Sequence, residues 1–212
     1  MSFLTINKDN IDREHICCAI GNDKINKSRA ETKKAWLNEQ FKNGLVFKRL
    51  NERGKVFIEY MPIEHVWKPI IGKNYLVINC LWVSGRFKGQ GFAKKLLEEC
   101  IEDAKKQNKD GIAVVSSDKV RPFLTDKKFF LKNGFENVDN GYPYFQLLAL
   151  KIKKNPSIIS FSENAKEGVC KNKKGLTFIY SNQCPYMEEY VELLRSVSKK
   201  HGIESKKIKV KD

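Results

Sequence analysis

Between residues 75 and 104 the hydrophobic pattern changes period once, from a continuous apolar run to a helical stripe. Residues 75–83 read as a buried strand. From Phe92 onward, Phe92, Leu96, Leu97, Cys100, Ile101 and Ala104 fall on one helix face, with Lys and Glu on the other. Gly89 and Gly91 take side chains out of the turn between the two. A strand running through a glycine turn into a helix gathers free backbone N–H groups and the positive end of a helix dipole at one point. That geometry suits a pyrophosphate. The two glycines alone do not separate such a cradle from a tight turn that binds nothing.

The same reading along the chain predicts a short strand at 3–6 and a helix at 11–20, where Ile11, Ile16, Ala19 and Ile20 recur at helical spacing. A second helix is expected from Ser28, as its cap, to about Lys42, closed by Asn43-Gly44. Residues 45–50 and 55–60 flank Asn51-Glu52-Arg53-Gly54 and predict a hairpin. Residues 61–73, with Pro62, Pro69 and Gly72, read as an irregular border to a substrate cleft. Downstream come a strand at 112–115, a helix at 122–133 stopped by Gly134, and two strands within 135–151 around Asn140-Gly141. Past Lys153 the chain turns polar. Residues 153–174 read as an extended linker, followed by a strand at 176–181, a turn through Cys184-Pro185-Tyr186, a helix to about His201, and a strand at 208–210. The division expected is a first domain over 1–152, the linker, and a small β-α-β unit over 175–212.

The flanking residues sharpen the glycine turn. Val83-x-x-x-Phe87-Lys88-Gly89-x-Gly91-x-Ala93 resembles the acetyl-CoA motif of the GNAT superfamily of N-acetyltransferases, with Lys88 where the family has Arg or Gln. The element order, β-α-α-β-β-β-α-β-α-β-β, is the family's order too. The last unit resembles the opening of the thioredoxin and glutaredoxin fold, in which Cys-Pro-Tyr begins a helix. With Ile58-Glu59-Tyr60-x-Pro62-x-Glu64-x-x-Trp67 before the motif and Gln183-Cys184-Pro185 after it, the whole chain resembles YoaP-type GNAT proteins. The resemblance implies an α/β fold with a mixed central sheet splayed at its central strand and flanked by helices, plus a partial thioredoxin-like unit. It also implies acetyl-CoA as cofactor, CoA as product, and direct acetyl transfer to a primary amine of a small molecule or peptide.

The resemblance carries roles to particular residues. Pantetheine would pair with the strand at Leu81, Trp82 and Val83, and the pyrophosphate would rest on the amides of Lys88, Gly89, Gln90, Gly91, Phe92 and Ala93. The tyrosine that serves many relatives as the acid is replaced by Phe130, which leaves Tyr142 and Tyr144 as neighbours of that position. Strand alternation puts Asn79 on the face of Leu81 and Val83, where it would orient water or substrate. Glu59 and Glu64 are the nearest carboxylates in chain order, so Glu59, Asn79 and Tyr144 are the catalytic candidates. Cys184 is a candidate reactive thiol at a helix N-terminus, with Pro185 in the first turn. Met187 stands where a dithiol enzyme would have its second cysteine. The alternative function is therefore a CoA-sensing, thiol-dependent binding or redox adaptor.

Composition changes this picture little. The chain has 212 residues and a net charge of +15, and its lysines are spread along the whole length. That spread favours a solvated basic surface that steers an anionic cofactor over a nucleic-acid arm. The six cysteines show no paired metal spacing, and no metal site is expected. No run reaches the length of a membrane span and no secretory pattern opens the chain, so a cytoplasmic enzyme with no membrane partner is expected. An open strand edge in the last unit leaves room for a protein partner there.

Overall fold

The computed structural model describes residues 2–169 and 174–210; residues 170–173 of the expected linker, Cys170 among them, lie outside the described residues. The chain forms two compact units, one from Met1–Ile6 and Asn43–Val169, the other from Asn7–Lys42 and Cys170–Asp212. Residues 7–42, grouped with the first domain in the sequence reading, therefore belong to the second unit.

The first unit is built on a sheet. Its strands are β1 (Phe3–Ile6), β2 (Val46–Leu50), β3 (Val56–Pro62), β5 (Tyr75–Val83), β6 (Gly111–Ser117), β7 (Glu136–Gly141) and β8 (Phe145–Lys151). They lie in the order β1-β2-β3-β5-β6-β8-β7. All neighbours run antiparallel except β5 and β6, which are parallel. Two short strands, β4 (Ile70–Ile71) and β9 (Ser160–Phe161), pair separately.

The helix α2 (Phe92–Lys106) covers one face of this sheet. Its Leu96, Leu97, Cys100 and Ala104 join Leu76, Ile78, Ile112 and Val114 in a single core. The expected period change falls where the sequence puts it, because each apolar period has a buried surface to meet. On the opposite face Tyr75, Val77, Ala113 and Leu147 pack with Ile63, Ile159 and Phe161. A polar knot sits beside α2: Lys48 Nζ lies 2.9 Å from both Glu99 and Asp103, and Tyr60 donates its hydroxyl proton to Asp103. Burial first, then the Cys100 thiol and Asp103, pushes the Tyr60 phenol far above the ordinary tyrosine range.

Several local expectations give way to tertiary contacts. Residues 11–20 are not helical. Asn7 Oδ1 accepts from the Asp9 and Asn10 amides, Cys17 adopts φ 50°, and the chain buries Ile11, Ile16 and Ala19 through turns. The next helix, α1 (Lys24–Gln40), begins before Ser28, because Asp23 Oδ1 accepts from Asn26 N at 2.9 Å and caps it earlier. The helix read at 122–133 is shortened to α3 (Lys127–Lys132). Phe123 has φ 64°, and Thr125 is tied to β6 through Ser116 Oγ at 2.6 Å and Val115 O at 3.2 Å. The reversal between β7 and β8 falls at residues 142–144, after Asn140-Gly141.

Residues 153–169 of the stretch read as linker are structured. They contain β9 and the short helix α4 (Glu163–Glu167). Ser157 donates to Asp110 Oδ2 through both N (2.8 Å) and Oγ (2.6 Å), and the Phe161 amide donates to Asp139 at 2.8 Å. The two Ser157 hydrogen bonds, with Lys153 and Asn74 alongside, hold the Asp110 carboxyl well below the usual carboxylate range. Two buried side chains, Ile159 and Phe161, supply the apolar anchor that a polar composition hides.

In the second unit β10 (Leu176–Tyr180) and β11 (Ser205–Lys209) pair in parallel, with α5 (Met187–Lys200) as the crossover. This is the β-α-β arrangement read from the sequence. Residues of α1 belong to the same unit: Arg29 Nε donates to Glu189 at 2.7 Å, and the buried Lys33 Nζ donates to the Gln183 carbonyl at 2.6 Å.

Candidate active site

Strand β5 carries two features, one at each end of its second half. The first is a bulge. Glu59 stands opposite Cys80 and Tyr60 opposite Ile78, so Asn79 is an inserted residue in the register against β3. The bulge reverses strand alternation. Leu76 and Ile78 precede it in the α2 core, and Leu81 and Val83 follow it against that same core. Asn79 therefore does not share the face of Leu81 and Val83, as plain alternation predicts. Its Oδ1 accepts from Lys68 Nζ at 2.6 Å, in the segment whose Val66 and Ile70 pack on the opposite core.

Beside the bulge the sheet opens. Pairing between β5 and β6 ends at Ile78 and Val114; beyond it, among the described residues, β5 pairs with β3 alone and β6 with β8 alone. The backbone from Asn79 to Val83 thus has one edge without a strand partner, the splay expected at the central strand. Trp82 is 47% exposed at this point.

The second feature is the turn. Phe87 is buried, meets Phe92 edge-on at 5.8 Å, and fits where Gly54 of the β2–β3 loop lacks a side chain; a Cβ there would come within 2.4 Å of the Phe87 ring. That contact pins the loop while its rim stays open. Gly85, Gly89 and Gly91 have φ of 64°, 74° and 78°, and a Cβ on any of them would meet nothing within 4 Å. Gly91 is the N-cap residue of α2, with no side-chain cap among the described residues. The first backbone bond there runs from Lys95 N to Gly91 O at 3.1 Å. The amides of Phe92, Ala93 and Lys94 thus open the helix without a carbonyl inside it. The Lys88 amide is engaged with Gly85 O at 3.2 Å, so Lys88 offers its exposed side chain to the rim while the amides begin at Gly89.

The catalytic candidates separate. Glu59 is 1% exposed on β3, between Phe47 of β2 and Cys80 of β5, and so lies next to the bulge. Glu64 is exposed and accepts from Asn74 N at 2.7 Å, bracing the turn into β5. Phe130 is buried edge-on between Phe129 and Phe135. Tyr144 lies past the end of β6, its carbonyl accepting from Asp118 N at 3.1 Å and its ring under the Arg121 guanidinium at 3.7 Å. Cys184 is three residues ahead of α5, with Tyr186 as the N-cap residue, and its carbonyl accepts from Met187 N at 3.1 Å. Pro185, expected in the first turn of that helix, therefore lies ahead of its N-cap residue. Lys68 was not legible as a site residue, since one lysine among 40 Lys and Arg carries no signal. No group of three or more His, Cys, Asp or Glu among the described residues could hold a metal.

A split sheet whose central strand runs into an uncapped glycine turn defines a class of α/β transferases that hold a pyrophosphate-bearing donor along one strand. The sequence comparisons agree. The chain matches the Acetyltransferase (GNAT) family over residues 12–135 and belongs to that family: it is an N-acetyltransferase. It is 43% identical over 210 residues to the uncharacterized N-acetyltransferase YoaP of Bacillus subtilis strain 168, covering 99% of this chain and 83% of that one. Among solved structures it is similar to aminoglycoside 6'-acetyltransferase type Ii, with 15% identity and a TM-score of 0.51 over 74% of this chain and all of the other. A GNAT acetyltransferase from Staphylococcus aureus Mu50 matches at 19% identity and a TM-score of 0.48, over 72% of this chain and 99% of the other. The first structural likeness is one of fold.

Proposed function

We propose that the enzyme transfers acetyl from acetyl-CoA to a primary amine of a small molecule or peptide. The observation that carries this reading is the turn at Gly85–Gly91, where left-handed glycines face open space beside an uncapped helix. Pyrophosphate fits there because the backbone supplies the donors and no side chain stands in the way. The amides of Gly89 through Ala93 would hold it, with the Lys88 ammonium adding charge from the rim. The free edge of β5 at Leu81, Trp82 and Val83 would pair with pantetheine. Acetyl-CoA supplies the activated acetyl group.

The chain's own groups have three tasks: lining up the amine, accepting its proton, and giving hydrogen bonds to the carbonyl oxygen as it gains charge. The N–H groups of Leu81, Trp82 and Val83, on β5 past the end of its pairing with β6, suit the last. Glu59, a carboxylate buried beside the bulge, suits the second through a bridging water. Asn79 orients the amine. Phe130 can supply no proton, and Tyr144 is at the far bank of the split; a water proton for the departing thiolate fits this site better.

Calorimetric titration with acetyl-CoA and with CoA, under reducing conditions, tests the reading. Micromolar binding that Gly91→Glu removes is the expected result. The glutamate would enter the open space in front of the amides, and the left-handed backbone costs the folded state about 1 kcal/mol. An unchanged titration in a variant with a native circular dichroism spectrum would mean the donor binds elsewhere.

A further inference from the structure

The split where the amine is proposed to react already holds an amine of the chain itself. Lys68 Nζ lies 2.6 Å from Asn79 Oδ1, at the bulged residue where β5 parts from β6. Glu59 faces the next residue of β5, Cys80. Lys68 is half-buried and its backbone is held: its carbonyl accepts from Ile70 N at 2.7 Å, and Ile70–Ile71 pairs with Ser160–Phe161. The next residue, Pro69, accepts from Ser162 N at 2.9 Å. A lysine on a free surface loop samples many rotamers, whereas this one has its root fixed on both sides and its ammonium placed at the split.

We propose that the enzyme acetylates its own Lys68. The inference rests on the donor reading above, which puts the acetyl group at the same split. The Lys68 ammonium loses a proton to water, and the free amine attacks the thioester carbonyl. An N–C bond forms, the C–S bond breaks, the nitrogen sheds its second proton, and the CoA thiolate leaves and is protonated. The balance is one ammonium and one acetyl-CoA giving one amide, one CoA thiol and one proton. The modification removes the only charge in the Lys68–Asn79 contact and leaves a single N–H donor. It also defines the acceptor chemistry of the pocket as an unbranched alkylammonium, the group Lys68 presents.

The experiment uses the full chain and deuterated acetyl-CoA, with peptide mass spectrometry following every lysine over time and calorimetry run on the same samples. Lys68 is expected to label at least about tenfold faster than the median lysine, since a held nucleophile gains effective concentration over one that must collide. The rate should not change on diluting the enzyme, and the fast label should vanish in Gly91→Glu. Lys68→Arg, which keeps the cation but cannot be acetylated, should lose the fast component with an unchanged circular dichroism melt. A Lys68 rate proportional to enzyme concentration would indicate labelling between molecules and overturn the proposal. Lys68 keeping pace with the other lysines while acetyl-CoA binds normally would overturn it and leave the donor reading standing. Absence of both binding and fast label would instead remove the donor reading, and this inference with it.

Discussion

The two ends of the second half of β5 differ in how they are made. The turn after Val83 is a local object: its open glycines, its uncapped helix and its Phe87 anchor all lie within residues 84–94, apart from the complementary Gly54. The bulge at Asn79 is a non-local one. It exists because β3 pairs with β5 out of step at Glu59 and Tyr60, and its surroundings come from Lys68 and, through β4 and β9, from residues 160–161. Backbone groups at the turn can hold a phosphate whatever the nearby side chains are. On the proposed reading, side chains at the bulge would select the amine, and their placement needs the whole sheet.

Breaking the turn should therefore have the largest effect. Gly91→Glu is expected to weaken acetyl-CoA binding about a thousandfold or more, roughly 4 kcal/mol, beyond the range of the titration. Breaking the bulge side comes next. Glu59→Gln keeps the shape of the buried side chain and removes its capacity to take a proton; kcat/KM for an amine should fall roughly a hundredfold. The affinity for CoA should stay within about twofold, and a parallel loss of both would place Glu59 in folding instead of proton transfer.

A smaller effect is expected from the support behind the bulge. Asp110→Asn removes the charge that holds Ser157 and lowers the thermal midpoint at pH 7. Because the folded carboxyl titrates below its unfolded value, its contribution is complete above about pH 4 and fades as pH falls further. The melting curves of the two proteins should thus converge on the acid side, and a gap that persists there would assign the effect to shape. Tyr144→Phe is expected to change kcat by less than about threefold. A drop of a hundredfold or more would restore that tyrosine as the acid.

The sequence reading succeeded wherever the physics is local. The apolar run of β5, the stripe of α2 and the glycine turn could be placed because each pattern is complete within a short window. It failed at residues 11–20, where turns and a left-handed Cys17 bury Ile11, Ile16 and Ala19 without a helix, and in 153–169, where two apolar side chains and one buried aspartate outweigh a polar composition. Asn79 was read on the wrong face for a single reason. Alternation holds along an unbroken ladder, and one inserted residue reverses it.

By itself, then, the sequence determined the strand, the glycine turn and the helix start on which the proposed donor site rests. Tertiary structure alone decided the surroundings of the proposed acceptor side. The register between β3 and β5 buries Glu59 beside the split, and the β4–β9 pair fixes the root of Lys68. A phosphate cradle is made of consecutive backbone groups, whose geometry local residues dictate. An amine pocket is made of side chains from distant strands, and only the folded sheet brings them together.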